Sequence, residues 1–482
     1  MNERKKKHVH IAWICFIGLA LLIMSFFLTP LGDDWGYSTT PQINKEFVLS
    51  SRPFDALFGL LLGKMPSAFP VLNHIIVVVA HCVSSVAFYL IGTNVLKFKT
   101  THAFIFSILF AISSTGYATV FSIDSLNQSL SLCFGVVGIY AYMRFSKHAI
   151  VKTILYLVCS ILATLSKESG IVFFFIIPVF DVYINGFKTT WKQTLVNFVL
   201  GGAFCLPFML FVRSTKEMGS ISIINTLKNT VVHLGFSALQ FDTVSFFGYG
   251  KIILPILTAV LSLPLLLLIG KTLIQRLIQK DFGVIFLGFL AVLSTFPQNL
   301  LSGIQEMNSY PTVFFMMLFF AYLCKDWNKK TLYIVLAPYL ASAIICGGIK
   351  YAALYKLSVQ SQEVLSNIES KTSHMSPEKV KVYPINVFNE DSYGVFVLSP
   401  SGTIGYGHGV KSIYGYDTSL EVECYHNRTD KTVISSTHST LINVPDEEFL
   451  QLLEEHAQAE VDNNEFDLCL ILHPDGSVIV VD

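Results

Sequence analysis

Residues 11–28 read Ile11-Ala12-Trp13-Ile14-Cys15-Phe16-Ile17-Gly18-Leu19-Ala20-Leu21-Leu22-Ile23-Met24-Ser25-Phe26-Phe27-Leu28, with no charged side chain. The run is entered from Arg4-Lys5-Lys6-Lys7 and left through Thr29-Pro30, with no small-x-small cleavage signal. That is the pattern of an uncleaved first membrane span. Leu31-Gly32-Asp33-Asp34-Trp35-Gly36-Tyr37 follows at once. Two adjacent carboxylates and a tryptophan are therefore expected where a membrane helix meets water.

The rest of the chain agrees with a membrane setting. Of 482 residues, 52% are hydrophobic and 14% charged, with a mean hydropathy of +0.58. This is too apolar for a water-soluble domain of that size and implies a polytopic α-helical membrane protein. The 33 basic and 33 acidic residues balance only overall. Residues 351–482 hold 7 Lys/Arg and 20 Asp/Glu, leaving 26 and 13 for residues 1–350. We therefore expect a basic transmembrane domain over 1–350 and an acidic, water-soluble C-terminal domain over 351–482, with no nucleic-acid partner.

Apolar runs of spanning length appear at about 11–29, 69–96, 103–121, 127–145, 194–213, 251–270, 283–303, 310–324 and 331–350. Residues 150–185 form one apolar hairpin interrupted by Ser166-Lys167-Glu168-Ser169-Gly170. Each leg gives only about 24 Å of helix, so the Lys-Glu turn should sit at or below the membrane surface. Counted as two spans, the hairpin brings the total to about eleven. With the N-terminus cytoplasmic, 17 basic residues fall on inner connections and 9 on outer ones. The tail is then extracytoplasmic, and a cell-membrane location is expected. Asp33, Asp34, Asp124, Glu168 and Glu306 all fall on the outer side. The outer stretches 54–62 and 231–247 are expected to lie along the interface as amphipathic helices.

Within the tail, a polar helix is expected near 357–369, strands at 380–384, 393–398, 420–424, 431–435 and 467–472, and a helix from Pro445 to His456. A small α+β domain fits. Seven of nine cysteines lie in or beside apolar segments; Cys424 and Cys469 lie in the tail, where an oxidising space would let them pair.

Several polar residues are candidates for chemistry. A carboxylate such as Asp33 or Asp34 at the membrane surface can deprotonate an attacking hydroxyl, and the two together could share a divalent cation; capping a turn is the plainer alternative. Lys167 suits a lipid phosphate with Glu168 holding it, or the two simply pair with each other. Arg52, before Pro53, suits bidentate phosphate contact or snorkelling. His74 and His81 share a helical face, about 10 Å apart along the axis, so a shared metal is not expected and His81 reads as a structural hydrogen-bonding residue. Glu306, at the start of a span, contacts substrate or anchors a helix end. Asn127-Gln128-Ser129 and Asn427-Arg428-Thr429 match the glycan-acceptor pattern.

In order, Asp33-Asp34-Trp35, Arg52-Pro53, Pro70 with His74 and His81, Leu165-Ser166-Lys167-Glu168 and Glu306 with Tyr310-Pro311 resemble integral membrane glycosyltransferases of the GT-C fold. The likeness is greatest to protein O-mannosyltransferase-like members and their bacterial relatives. It covers residues 1 to about 400, including Tyr393-Gly394-Val395-Phe396. The chain departs from the family where Asp34 replaces Glu and Val77 replaces Asn. The resemblance implies a polyprenyl-phosphate-linked sugar donor and an acceptor activated by an acid of the first outer loop, the position of Asp33 and Asp34.

The expected function is therefore transfer of a monosaccharide to a hydroxyl of a cell-surface glycan, lipid or protein, with inversion. Asp33 and Asp34 are the candidate catalytic acids; Arg52, Lys167 and Glu168 would bind the donor phosphate. Trp35, Asp124, Glu306 and Tyr310 would contact substrate. A lipid-linked oligosaccharide polymerase or ligase is the near alternative, and a membrane transporter a more distant one.

Overall fold

In the computed structural model, the structure describes residues 3–30, 69–122, 125–145, 148–215, 222–240, 253–296, 298–300, 306–386, 404, 407–415, 418–427, 439–442, 447–473 and 475–482. The chain is mostly helical, with a small sheet at its C-terminal end. Among the described residues, seven helices are long and apolar enough to cross a membrane, or eight if a pair bent by 57° counts as one span. The expected count of eleven is not reached by this measure. Phe282–Leu293 has only 12 residues and Tyr310–Leu323 only 14, about 18 and 21 Å of helix against a hydrocarbon core of about 30 Å. Large apolar side chains such as Phe16, Leu206, Val260 and Ile274 stand exposed on the outside of the bundle. That distribution fits a polytopic membrane protein.

Glu3–Ser25 lies beside Phe69–Leu90, where Lys7 Nζ reaches Asn94 Oδ1 at 3.0 Å and His10 meets Tyr89. Leu126–Arg144 packs on the hairpin of Ala149–Ser166 and Phe173–Asn185 through glycine. A methyl group on Gly135 would run into the Phe173 ring, so only glycine permits this approach. The expected 103–121 span is two helices, Thr100–Ala111 and Ser114–Val120.

At the end of the bundle away from the tail, Lys152 and Asp181 form a buried ion pair at 2.7 Å between the hairpin legs. Asp181 also accepts from Tyr142 Oη at 3.1 Å and Asn185 Nδ2 at 2.6 Å. A buried carboxylate needs this full set, because desolvation otherwise exceeds the attraction of the pair. The one sequence signal for Asp181 is that it is the sole charged residue of the apolar leg 173–185.

The expected interfacial stretch 231–247 overlaps the helix Ile223–Leu239, and residues 241–247, like the stretch 54–62, lie outside the described residues. In this helix Asn229, His233 and Ser237 are buried against the bundle while Ile223, Ile224, Leu227 and Val231 are exposed. Polar groups turn inward, as expected where the surroundings are apolar and hydrogen bonds must be found within the protein.

One helix, Lys329–Thr372, carries the chain across residue 350 into the tail. Its 44 residues amount to about 66 Å. The sheet has the order β4-β3-β1-β5-β6: β1 Lys379–Asn386, β3 Cys424–Asn427, β4 Ser439–Ile442, β5 Leu468–Leu472 and β6 Val478–Val481. β2 Ser419–Val422 also pairs with β1, just before β3 does. All pairs are parallel except β5 with β6. Alternate residues of β1 face opposite sides. Val380 and Val382 pack with Val364 and Ile368 of the long helix, whereas Tyr383 and Ile385 pack with Leu453 and Ala457 of Glu447–Asp462. The tail is thus a helix-sheet-helix sandwich with both faces covered, a more specific arrangement than the α+β expectation.

The expected strands at 380–384, 420–424 and 467–472 correspond to described strands; those at 393–398 and 431–435 lie outside the described residues. Cys424 and Cys469 are free thiols. They lie on strands either side of β1, about three residues apart in register. That separation is roughly 14 Å from strand spacing and rise, beyond the reach of a disulfide.

Candidate functional site

A buried polar cluster gathers at the end of the bundle nearest the tail, around the turn Glu306–Ser309 and the helix it opens. Pro311 fits here because the first helical positions need no backbone donor. Distant elements converge on this turn and on the first residue of the helix. Lys167 Nζ approaches Asn308 Oδ1 at 3.5 Å, the long limit of a hydrogen bond. His233 Nδ1 meets Ser309 Oγ at 2.7 Å, Thr119 Oγ1 donates to the Met307 carbonyl at 3.5 Å, and His81 Nδ1 meets Tyr310 Oη at 2.6 Å.

His81 Nε2 lies 3.0 Å from the Ala111 carbonyl. A carbonyl only accepts, so Nε2 carries the proton, Nδ1 accepts, and the Tyr310 hydroxyl donates. The structural reading of His81 is borne out by these two bonds. Tyr310 is fully buried and its hydroxyl is committed to a protein partner.

Lys167 is buried at the turn between the hairpin legs, followed by a short tight helix, Glu168–Val172, in which Glu168 is half-buried. The turn closes because Gly170 lets the backbone fold onto the Ala163 carbonyl, where a Cβ would collide. Lys167 and the 306–310 segment, far apart in sequence, are therefore brought together. Glu306 begins the turn. Asp33, Asp34, Trp35, Arg52 and Asp124 lie outside the described residues, as does the divalent cation expected at the first two. Among the described residues no group of three or more His, Cys, Asp or Glu side chains gathers to hold a metal.

Several members of the cluster carry no signal in a linear reading. Lys350 Nζ donates to the Ser114 carbonyl at 3.1 Å, Ser114 donates to the Gln240 carbonyl, and Gln240 Nε2 donates to Tyr339 Oη at 3.1 Å. Asn229 Nδ2 donates to the Asn299 carbonyl at 3.2 Å. The one available cue was the i, i+4 spacing of Asn229, His233 and Ser237, a polar stripe on an apolar helix. Asn127 is buried within a helix, which corrects the glycan-acceptor match at that position; residues 428 and 429 of the second match lie outside the described residues.

A different charged cluster occupies the tail. Lys381 is ringed by Glu460 at 2.7 Å, Glu423 at 3.2 Å and Glu421 at 3.3 Å. Burial works against its charge, but the bonds it donates to Glu460 and Glu423 prevail and raise its pKa. Burial likewise pushes Glu460 up, yet hydrogen bonds from Lys381 and Tyr383 outweigh it and hold the carboxyl below its ordinary value. Burial, with the nearby Glu460, pushes the Cys469 thiol up to about 12, so it is no nucleophile at neutral pH.

No protein-family model matches the chain, and no curated protein matches it.

Proposed function

We propose that this chain is a membrane glycosyltransferase that moves a monosaccharide from a polyprenyl-phosphate-linked donor to an acceptor hydroxyl, on the membrane face nearest its tail. The observation that supports it is the meeting of Lys167 with the turn at Glu306–Ser309, in a buried setting rich in hydrogen-bonding groups. An ammonium held away from bulk water acts strongly on a departing phosphate, because the low dielectric leaves its charge little screened. In this reading Asp34 or Asp33 takes the acceptor proton, and Lys167 and Arg52 stabilise the leaving lipid phosphate while Glu168 holds Lys167. Trp35, Asp124 and Glu306 contact substrate; Tyr310, fully buried and bonded to His81, braces the start of the helix after the 306–309 turn. The membrane is the cell membrane, with the tail outside, and a divalent cation at Asp33 and Asp34 would serve the same site.

The test compares surface glycans by mass spectrometry in cells carrying the native chain, Asp34→Asn, Lys167→Ala, or none. Both variants should insert normally and give the glycan profile of cells lacking the protein. A native profile from inserted Asp34→Asn would overturn the assignment. The mass of the unit transferred separates monosaccharide transfer from an oligosaccharide polymerase or ligase.

A transporter is the second reading, favoured by the Lys152–Asp181 pair buried between two apolar helices. It requires that solute uptake into vesicles, not glycan composition, depend on these residues.

A further inference from the structure

Thr29, just past the first span, lies against the long helix at its entry to the tail. Its backbone N–H donates to Ser358 Oγ and its hydroxyl to the Ser358 carbonyl, both at 3.1 Å. The short helix His408–Tyr414 is fixed to the same long helix by a hydrogen bond between Thr372 and Tyr414 at 2.7 Å. An open cleft of about 280 Å³ remains between these three pieces. Its polar lining comes from Thr29, Gln362, Ser366, Glu369 and Ser412. Leu365 and Ile413 supply the apolar part.

We propose that this cleft receives the end of a neutral carbohydrate chain, the acceptor of the transfer. The inference rests on the transferase reading and deepens it. A sugar ring presents hydroxyls at its edge and C–H groups on its faces, and the lining offers hydroxyl, amide and carboxylate partners around two aliphatic side chains. None of the described lining residues is basic and one is a carboxylate. An anionic phosphate would therefore be repelled, which assigns the cleft to the acceptor and leaves the donor to Lys167. The volume falls just below the usual range for small-molecule sites, about 300–1,000 Å³, enough for a terminal residue and too little for a lipid chain. Position agrees as well. Asp33 follows Thr29 by four residues, a tether of at most about 14 Å, so the proposed base and the cleft are within the length of a short saccharide.

The experiment uses the full chain in lipid nanodiscs and saturation-transfer NMR with three neutral probes, maltotriose, cellotriose and chitotriose, and inorganic phosphate as the anionic control. At least one trisaccharide should receive saturation from the native protein, and phosphate should not compete with it. Ser366→Trp, which fills the cleft, should abolish the signal. The milder Gln362→Ala with Ser412→Ala, which keeps the fold, should weaken binding by about tenfold. Absence of transfer to all three trisaccharides, or full retention in Ser366→Trp, overturns the proposal. The two readings fail separately. Trisaccharide binding that Ser366→Trp removes, with native glycans in Asp34→Asn cells, keeps the cleft and removes the transferase. Glycans lost in Asp34→Asn but native in Ser366→Trp, with binding unchanged, do the reverse.

Discussion

The buried pair Lys152–Asp181 allows a prediction that stands apart from any activity. Asp181 is fully buried and accepts three hydrogen bonds, from Lys152, Tyr142 and Asn185. Lys152→Met removes the only positive charge among these partners, and Asp181→Leu strands a buried ammonium beside the Tyr142 ring, whose centroid lies 4.3 Å away. Removing one partner of such a pair costs about 3–5 kcal/mol, whereas replacing both by apolar groups of similar size is close to neutral. The single variants should therefore sum to about 6–10 kcal/mol while the double variant stays within about 2 kcal/mol of native. The measurement is reversible denaturant unfolding in detergent micelles, with membrane yield as a second readout for singles too unstable to purify. If the double variant is as unstable as the two singles combined, the residues act independently. Lys152 and Asp181 are then not energetically coupled.

Two further predictions follow from packing and from charge. Gly135→Ala pushes a methyl group into the Phe173 ring and should cost about 1–3 kcal/mol; Phe173→Leu in the same chain should return part of it, read as the thermal midpoint in detergent. Glu460 has a folded-state pKa below its ordinary 4.5. The stability it contributes is therefore complete above that value and lost as pH falls through the lower, folded one. Hydrogen exchange of β1 amides should be slower in native protein than in Glu460→Gln at pH 7, with the difference closing on acidification below the carboxyl's ordinary pKa of 4.5. An equal difference at every pH would contradict this.

Much of the helical part was legible in local sequence because apolar runs and their charged punctuation are contiguous. The runs at 127–145 and 310–324 match Leu126–Arg144 and Tyr310–Leu323 to within a residue. The bend within 103–121 was not legible: no proline marks residues 112–113. The 283–303 run stops early as a regular helix, at Leu293, shortly before Pro297. In Ile223–Leu239 the sequence shows a polar stripe of Asn229, His233 and Ser237 but not the direction it faces. Of the candidate site, Lys167 and Tyr310 were singled out by position, yet their neighbours Asn308, Ser309 and His233 emerge only once distant helices pack. The buried Lys152–Asp181 pair and the parallel register of β1 are long-range in the same sense, since each depends on segments whose mutual placement no local pattern encodes.

The helix Lys329–Thr372 has a mechanical consequence. Neither glycine nor proline interrupts residues 349–372, so this stretch has no built-in swivel and behaves as a strut. Each residue added to it would turn the tail by about 100° and lift it by about 1.5 Å. The angular setting of the sandwich above the bundle is thus fixed by the exact number of residues in one rod.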